Sequence, residues 1–350
     1  MRFVLIVLVL LMHSTGFPPL SRVRVDFATV DGWDVYNLFR LALGYVLGQG
    51  AVPAFFLISG YLFFRNADRF TRSVYTSKLK RRLRTLLIPY LLWNLLYVVI
   101  LFLPLLYDSV KTGTVTAGLS GFFSQNDFLS VFWAGKRGYP ANVPMWFVRD
   151  LMVMCLASPA VYLLARKFKT GWPLFVVGCW LVRGWINLPL VQTAAFCFFS
   201  IGAYLGIERR NLLDTFAKAG TPGLILTAAV FLADTYQVAA NRQWPVINSL
   251  FVLLWVTTVF QLAGRWLTTE KSHVPETLSG AVFFIFCAHD LTVVSCYDTL
   301  MWKLLRGASP WLLLCLFLTA PAVKIIICWT YRLILSRCLP KVLKLLTGGR

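Results

Sequence analysis

Ten apolar stretches, most of them close to twenty residues long, divide this chain, and those lengths fit helices that cross a bilayer. They run near residues 2–14, 40–64, 85–107, 146–165, 172–187, 189–207, 221–239, 246–264, 278–298 and 311–333. In hydrocarbon every backbone N–H and C=O must find a partner within the protein, so the stretches are predicted to be helices rather than loops or open strands. With 58% hydrophobic and 14% charged residues, the chain also has too little polar surface to cover a soluble globule of 350 residues. The expected fold class is an all-α integral membrane protein of about ten transmembrane helices. The fifth stretch is the shortest of the later ones and is interrupted by Arg183. Asn187, Pro189 and the charge pattern favour a tight turn between the fifth and sixth stretches over a single fused helix.

The cations sort the loops. Counting Arg183 and Arg332 with the loop or tail each borders, the even-numbered loops and the C-terminal tail hold 21 Lys and Arg, against 9 in the odd-numbered loops. The excess places the even loops and both termini in the cytoplasm. The second loop is the clearest, with Arg65, Arg69, Arg72, Lys78, Lys80, Arg81, Arg82 and Arg84. A net charge of +20 would suggest nucleic acid in a soluble protein. Here the cations lie in short clusters between apolar runs, so the expected partner is the lipid bilayer and no nucleic acid. The longest loop, residues 108 to 145, then faces outward as a folded lid or as a connector. Residues 1–350 read as one transmembrane domain, with no soluble domain, low-complexity tract or internal repeat. Of the eight cysteines, all but Cys338 fall in or beside apolar stretches, and no CxxC or paired Cys/His spacing occurs. Neither a disulfide framework nor a metal site is expected. The first stretch is not read as a cleaved signal peptide: no A-x-A-like site follows His13, and Pro18, Pro19 and Leu20 are poor cleavage context.

Ionisable residues inside such stretches are costly and mark function by default. Arg2 and His13 bracket an unbroken apolar run; eleven residues apart, about three helical turns, they are predicted to share one face, roughly 16 Å apart. With the inferred orientation, His13 lies in the outer part of the membrane. The fourth stretch runs inward from Met145 and brings Trp146, Arg149 and Asp150 to the outer half. The ninth runs outward and places His289 and Asp290 at or beyond mid-depth. Three stretches thus carry ionisable groups to a similar outer depth, which points to a reaction or transport site. The third histidine, His273, falls in a cytoplasmic loop and reads as solvated.

These residues also carry a family resemblance. Arg2, ten residues and His13 resemble the opening pattern of the acyltransferase-3 family of bacterial membrane acyltransferases. The second stretch, Val52-Pro53-Ala54-Phe55-Phe56-Leu57-Ile58-Ser59-Gly60-Tyr61, is similar to that family's most specific signature. Further matches are Arg81-Arg82-Leu83-Arg84 with Pro89, Tyr90 and Trp93; Pro144 through Leu151; the ending from Gly202 to Arg210; and Phe283 through His289. The resemblance spans nearly the whole chain. It implies a ten-span enzyme of the bacterial cytoplasmic (inner) membrane that moves an acyl group, acetyl foremost, from cytoplasmic acyl-CoA to a hydroxyl of an extracytoplasmic or lipid-linked glycan.

The residues fit that chemistry. An alcohol is a poor nucleophile at its own pKa, so acyl transfer from a thioester needs a general base, and imidazole suits neutral pH. His13 is the expected base or, as an alternative, the carrier of the acyl group. His289 is expected as a second acid/base or orienting group, with Asp290 as its hydrogen-bond partner. Arg149 is suited by depth to stabilise the oxyanion of the tetrahedral intermediate; pairing with Asp150 or holding the acceptor are its other readings. Arg2, Arg81, Arg82 and Arg84, with Ser59 of the second stretch, are expected on the acyl-CoA side, since Arg grips phosphate oxygens in pairs. Outward-facing Trp133 and Trp146 are expected to stack on sugar rings. Lys324, deep in the tenth stretch, reads either as a carboxylate partner or as a snorkelling cation.

The chain departs from the family at its start, where Arg2 follows Met1 directly and leaves the first helix roughly 20 Å long against about 30 Å of hydrocarbon. An upstream start, with a short segment missing here, and a stunted first helix are both open. A transporter or flippase for a lipid-linked sugar is the alternative from another class. Inverted repeats are common in such folds, and none is detected.

Overall fold

The structure, a computed structural model, describes residues 1–15, 25–65, 70–125, 129–134, 138–185, 190–242, 244–267, 276–291, 301, 303–304 and 307–349. All regular secondary structure among them is helical. Five helical stretches are long and apolar enough to cross a membrane: Gly32–Phe64, Arg72–Thr112, Gly220–Ala239, Pro245–Leu267 and Pro310–Cys338. A sixth is a bent pair, Val143–Leu156 and Ser158–Phe168, that turns by 61°. Pro159 lies in the first turn of the second limb and cannot donate the backbone bond that would continue the first. Four shorter apolar helices, Arg2–Met12, Gly171–Leu181, Thr193–Ile207 and Thr277–Ala288, fall on the remaining apolar stretches of the sequence. Leu95, Leu163, Leu174, Ile225, Leu232 and Ile326 project from these helices as exposed side chains. An outward apolar surface of this kind suits lipid rather than water.

The helices that frame the site are α1 (Arg2–Met12), α2 (Gly32–Phe39), α3 (Ala51–Phe64), α4 (Arg72–Arg82), α5 (Ile88–Thr112), α6 (Ala117–Gln125), α7 (Trp146–Leu156), α8 (Ser158–Phe168), α9 (Gly171–Leu181), α10 (Thr193–Ile207), α11 (Leu212–Ala217), α12 (Gly220–Ala239), α13 (Pro245–Leu267), α14 (Glu276–Ala288), α15 (Pro310–Cys338) and α16 (Pro340–Thr347). α2 begins eight residues before the apolar stretch expected from residue 40, because Asp31 and Asp34 form a reciprocal capping box at its start. Between α2 and α3 the chain stays helical but irregular, as a π-helical segment, Arg40–Val46, and a tighter 3₁₀ turn, Leu47–Gly50. Pro53 accounts for part of this, since it cannot donate to the carbonyl of Gln49.

α3 and α10 form the closest helix pair of the core. A Cβ added at Gly60 would lie 2.1 Å from the Phe199 carbonyl oxygen, and one at Gly202 would lie 2.0 Å from that of Leu57. Glycine on both sides lets two backbones touch, which supplies packing where lipid gives no hydrophobic drive between helices.

The described parts of the long loop between α5 and α7 are folded onto the bundle. Phe122 of α6 packs on Phe102 of α5, with ring centroids 5.7 Å apart. The Tyr90 hydroxyl donates to the Phe132 carbonyl. At the other end of the chain, α16 returns to α5, where Trp93 Nε1 donates to the Leu346 carbonyl at 2.9 Å.

Candidate functional site

The site is built around the C-terminal end of α1. The last carbonyls of a helix have no partner within it, and they carry the negative end of its dipole. Here the Ser14 and Thr15 hydroxyls bond back to the carbonyls of Leu10 and Met12, at 2.8 and 2.7 Å. The exposed carbonyls beyond are taken by cations from other helices. Lys324 Nζ of α15 donates to the His13 carbonyl at 3.3 Å, and Arg40 Nη1 of the π segment donates to that of Thr15 at 2.6 Å. Close packing permits this, because a Cβ at Gly44 would lie 2.2 Å from Thr15 Cγ2 and one at Gly48 would lie 2.9 Å from Met12 Cβ.

At this end His13 meets His289. Their ring centroids are 4.7 Å apart and their planes stand at 78°. His289 follows the last turn of α14 and is 2% exposed. Its Nδ1 lies 2.7 Å from the Phe286 carbonyl oxygen. A carbonyl only accepts, so Nδ1 carries a proton, and in the neutral form of the ring Nε2 is a bare lone pair. Nε2 is buried without a hydrogen-bond partner. Two residues far apart in sequence, expected at matching depth, are thus brought into contact. Asp290 is not the partner of His289, contrary to expectation: the carbonyl one turn back, geometrically closer to hand, has taken Nδ1.

Arg149 and Asp150 form a separate unit. Arg149 Nε donates to Asp150 Oδ1 at 2.8 Å, and both residues are buried. Arg149 Nη1 donates to the carbonyls of Trp133, at 2.5 Å, and Gly138, at 3.3 Å. Asp150 Oδ2 accepts the backbone N–H of Gln192, the N-cap of α10, at 2.8 Å. Of the three readings open for Arg149, the structure displays the pairing with Asp150. Aromatic contacts run from α7, which carries this unit, to the histidines: Phe147 meets Phe286 at 5.5 Å, and Phe286 meets His289 at 6.0 Å.

The remaining expected residues lie elsewhere. Arg2 is exposed at the opposite end of α1 from His13. Arg81 and Arg84 are exposed and Arg82 half-buried, where α4 runs into α5. Ser59 is half-buried on α3, Trp146 packs on Phe56 at 6.1 Å, and Trp133 is 41% exposed. His273, Asn187 and Pro189 lie outside the described residues.

Sequence reasoning passed over Arg40 and left Lys324 undecided between two roles, neither of which is the helix cap it forms. It also passed over Asn142, whose Nδ2 donates to the Cys287 carbonyl at 3.2 Å and whose backbone N–H donates to Asn94 Oδ1 at 3.0 Å. A signal for Arg40 did exist. The Asp31 capping box starts a helix at residue 32, so Arg40 falls two turns inside it rather than in a loop. Arg183, counted with a loop, joins a part-buried network that ends on the buried Asp234: it donates to Asn248 Oδ1, and Asn248 Nδ2 donates to Asp234 Oδ2 at 2.7 Å.

The model of a family described as "Acyltransferase domain" matches residues 1–329. The chain is 27% identical to the succinoglycan biosynthesis protein ExoH of Rhizobium meliloti (strain 1021), over 361 residues that take in 100% of this chain and 91% of that protein. No solved structure matches.

Proposed function

The chain belongs to the acyltransferase-3 family, and from that premise we propose that it is a multi-pass membrane O-acyltransferase acting on a polysaccharide. In this reading it takes an acyl group, acetyl foremost, from acyl-CoA at the cytoplasmic face and passes it to a hydroxyl of an extracytoplasmic or lipid-linked glycan. The polysaccharide acceptor is supported by the relative named for succinoglycan biosynthesis. The ten apolar helical pieces and the distribution of cations support ten spans with both termini cytoplasmic, in a bacterial inner membrane.

The observation that carries the reading is the contact between His13 and His289. The acceptor O–H must lose a proton as its oxygen attacks the thioester carbon, and the departing thiolate must gain one. His13 is proposed to take the first proton. The unoccupied Nε2 of His289, fixed in tautomer by Phe286, is proposed to receive it or to orient His13. The net change is one C–O bond formed, one C–S bond broken and one proton moved from alcohol to thiol. Arg81, Arg82 and Arg84, with Arg2 and Ser59, are proposed to meet the donor from the cytoplasmic side, where the arginines suit its phosphates. Arg149, held by Asp150, is proposed to position the segment that carries Trp133, and Trp133 and Trp146 to stack on the acceptor sugars.

The test is mass spectrometry of surface glycans from cells with and without the gene, and with a His13→Ala variant. Loss of an O-acyl group with glycan export intact is expected in both, with the variant still accumulating in the membrane. Transfer should fall by about 10²- to 10⁴-fold. Loss of the glycan itself would overturn the proposal in favour of transport.

A further inference from the structure

Arg40 is 1% exposed, yet only one of its three guanidinium nitrogens has a hydrogen-bond partner. Nη1 is spent on the Thr15 carbonyl, whereas Nε and Nη2 are buried and unpartnered. Those two nitrogens form the side-on edge of the guanidinium, where two parallel N–H bonds point the same way. That edge matches the two oxygens of a carboxylate or phosphate. Arg40's ring contact with Tyr36, at 5.9 Å, satisfies neither nitrogen. The nearest acid in sequence, Asp34, is engaged elsewhere: Oδ1 accepts from the Asp26 N–H at 3.0 Å and Oδ2 from the Asp31 N–H at 3.1 Å. A buried cation left without a counter-charge is costly. Helix capping accounts for Nη1 alone.

The position gives the edge a ligand. Arg40 holds the carbonyl two residues beyond His13, and Lys324 holds the carbonyl of His13 itself. The π-helical segment that carries Arg40 is a local distortion of a kind frequent at functional sites. Two cations therefore flank the histidine pair. In the acyl-transfer reading the phosphates of an acyl-CoA are held at the opposite, cytoplasmic end of the spans, which leaves a carboxylate as the anion suited to this edge.

We propose that the free edge of Arg40 binds a carboxylate carried into the site by one of the two substrates. That carboxylate comes either from the far end of a dicarboxylic acyl group or from an acidic sugar of the acceptor. The inference rests on the acyl-transfer reading above. It makes Arg40 a specificity-determining residue, selecting a charged substrate over its neutral counterpart.

The test uses membranes containing the full chain, supplied with acetyl-CoA or succinyl-CoA and with the acceptor glycan in native or carboxyl-reduced form. The wild type is expected to transfer faster in the combinations that contain the recognised carboxylate. Arg40→Gln should lower the ratio of rates, charged over neutral substrate, at least tenfold. Arg40→Lys, which keeps the charge but not the paired donors, should fall between. A ratio that follows the acyl group assigns the carboxylate to the donor, and one that follows the glycan assigns it to the acceptor. His13-dependent transfer with no preference for either carboxylate in the wild type would overturn the proposal. So would equal losses on charged and neutral substrates in Arg40→Gln. Absence of any His13-dependent transfer would instead overturn the acyl-transfer reading itself.

Discussion

The His13–His289 junction and the Arg149–Asp150 clamp are both polar and both inside an apolar bundle, yet their bonding capacity is spent differently. In the clamp, both carboxylate oxygens of Asp150 are engaged, and Arg149 reaches Asp150 and two loop carbonyls. At the junction, one nitrogen of His289 and two of Arg40 remain buried and empty. A polar group in a low-dielectric interior stabilises only when its partners are complete, and incompleteness is tolerated where function needs it. The clamp holds α7, the N-terminus of α10 and the Trp133 segment together. The junction leaves part of its bonding capacity unspent.

The largest effect expected from this contrast is on the clamp. Arg149→Ala would leave the Asp150 charge buried without its partner, a change that typically costs about 3–5 kcal/mol. The thermal midpoint of the detergent-solubilised protein should drop sharply, and accumulation in the membrane should fall with it. A midpoint matching the wild type would show that the clamp is not what holds these elements. The junction should respond in the opposite sense. His289→Gln keeps a polar side chain of similar length while removing the imidazole, so transfer should fall about 10²-fold, equivalent to about 2.7 kcal/mol on the barrier. Its thermal midpoint should move much less than that of Arg149→Ala. If the two variants lost stability alike and His289→Gln kept its activity, the distinction between the regions would collapse.

The contrast also marks what the sequence allowed to be read. Helical membrane architecture follows from the length of apolar runs: five of the runs fall on helices long and apolar enough to cross a membrane, a sixth on the bent pair, and the described parts of the other four on shorter apolar helices. His13 and His289 were legible because an imidazole amid Val, Leu and Phe is conspicuous. They meet because α1 packs against α14, which brings the ends of the two helices together. Arg40 was not legible as a site residue. A cation at the border of an apolar stretch looks like any topological anchor, and only the π segment and the open carbonyl of Thr15 turn it inward. Lys324 is similar: one of its partners is a backbone carbonyl more than three hundred positions away, and no pattern of residue types announces a carbonyl. The role of Asp290 was misjudged for a related reason, since a side chain next door in sequence lost to the backbone one turn back.

Trp133 belongs to the clamp through its backbone and gives the smallest but most discriminating test. Its carbonyl belongs to the clamp, accepting from Arg149 Nη1, while the Arg149 guanidinium lies 5.5 Å from the centre of its ring. The ring is nonetheless 41% exposed, which leaves part of its face open to a sugar. Trp133→Leu keeps the carbonyl bond and removes only the ring, so the stability lost with the cation–π contact should be about 0.5–1 kcal/mol. If the ring is a platform for the acceptor, the KM for glycan should rise about threefold to tenfold, the scale of one aromatic contact, with kcat nearly unchanged. An unchanged KM together with a fall in thermal midpoint as large as that of Arg149→Ala would place the ring wholly within the clamp. The outer aromatic residues would then be scaffolding, and recognition of the acceptor would shift toward the charged end of α1.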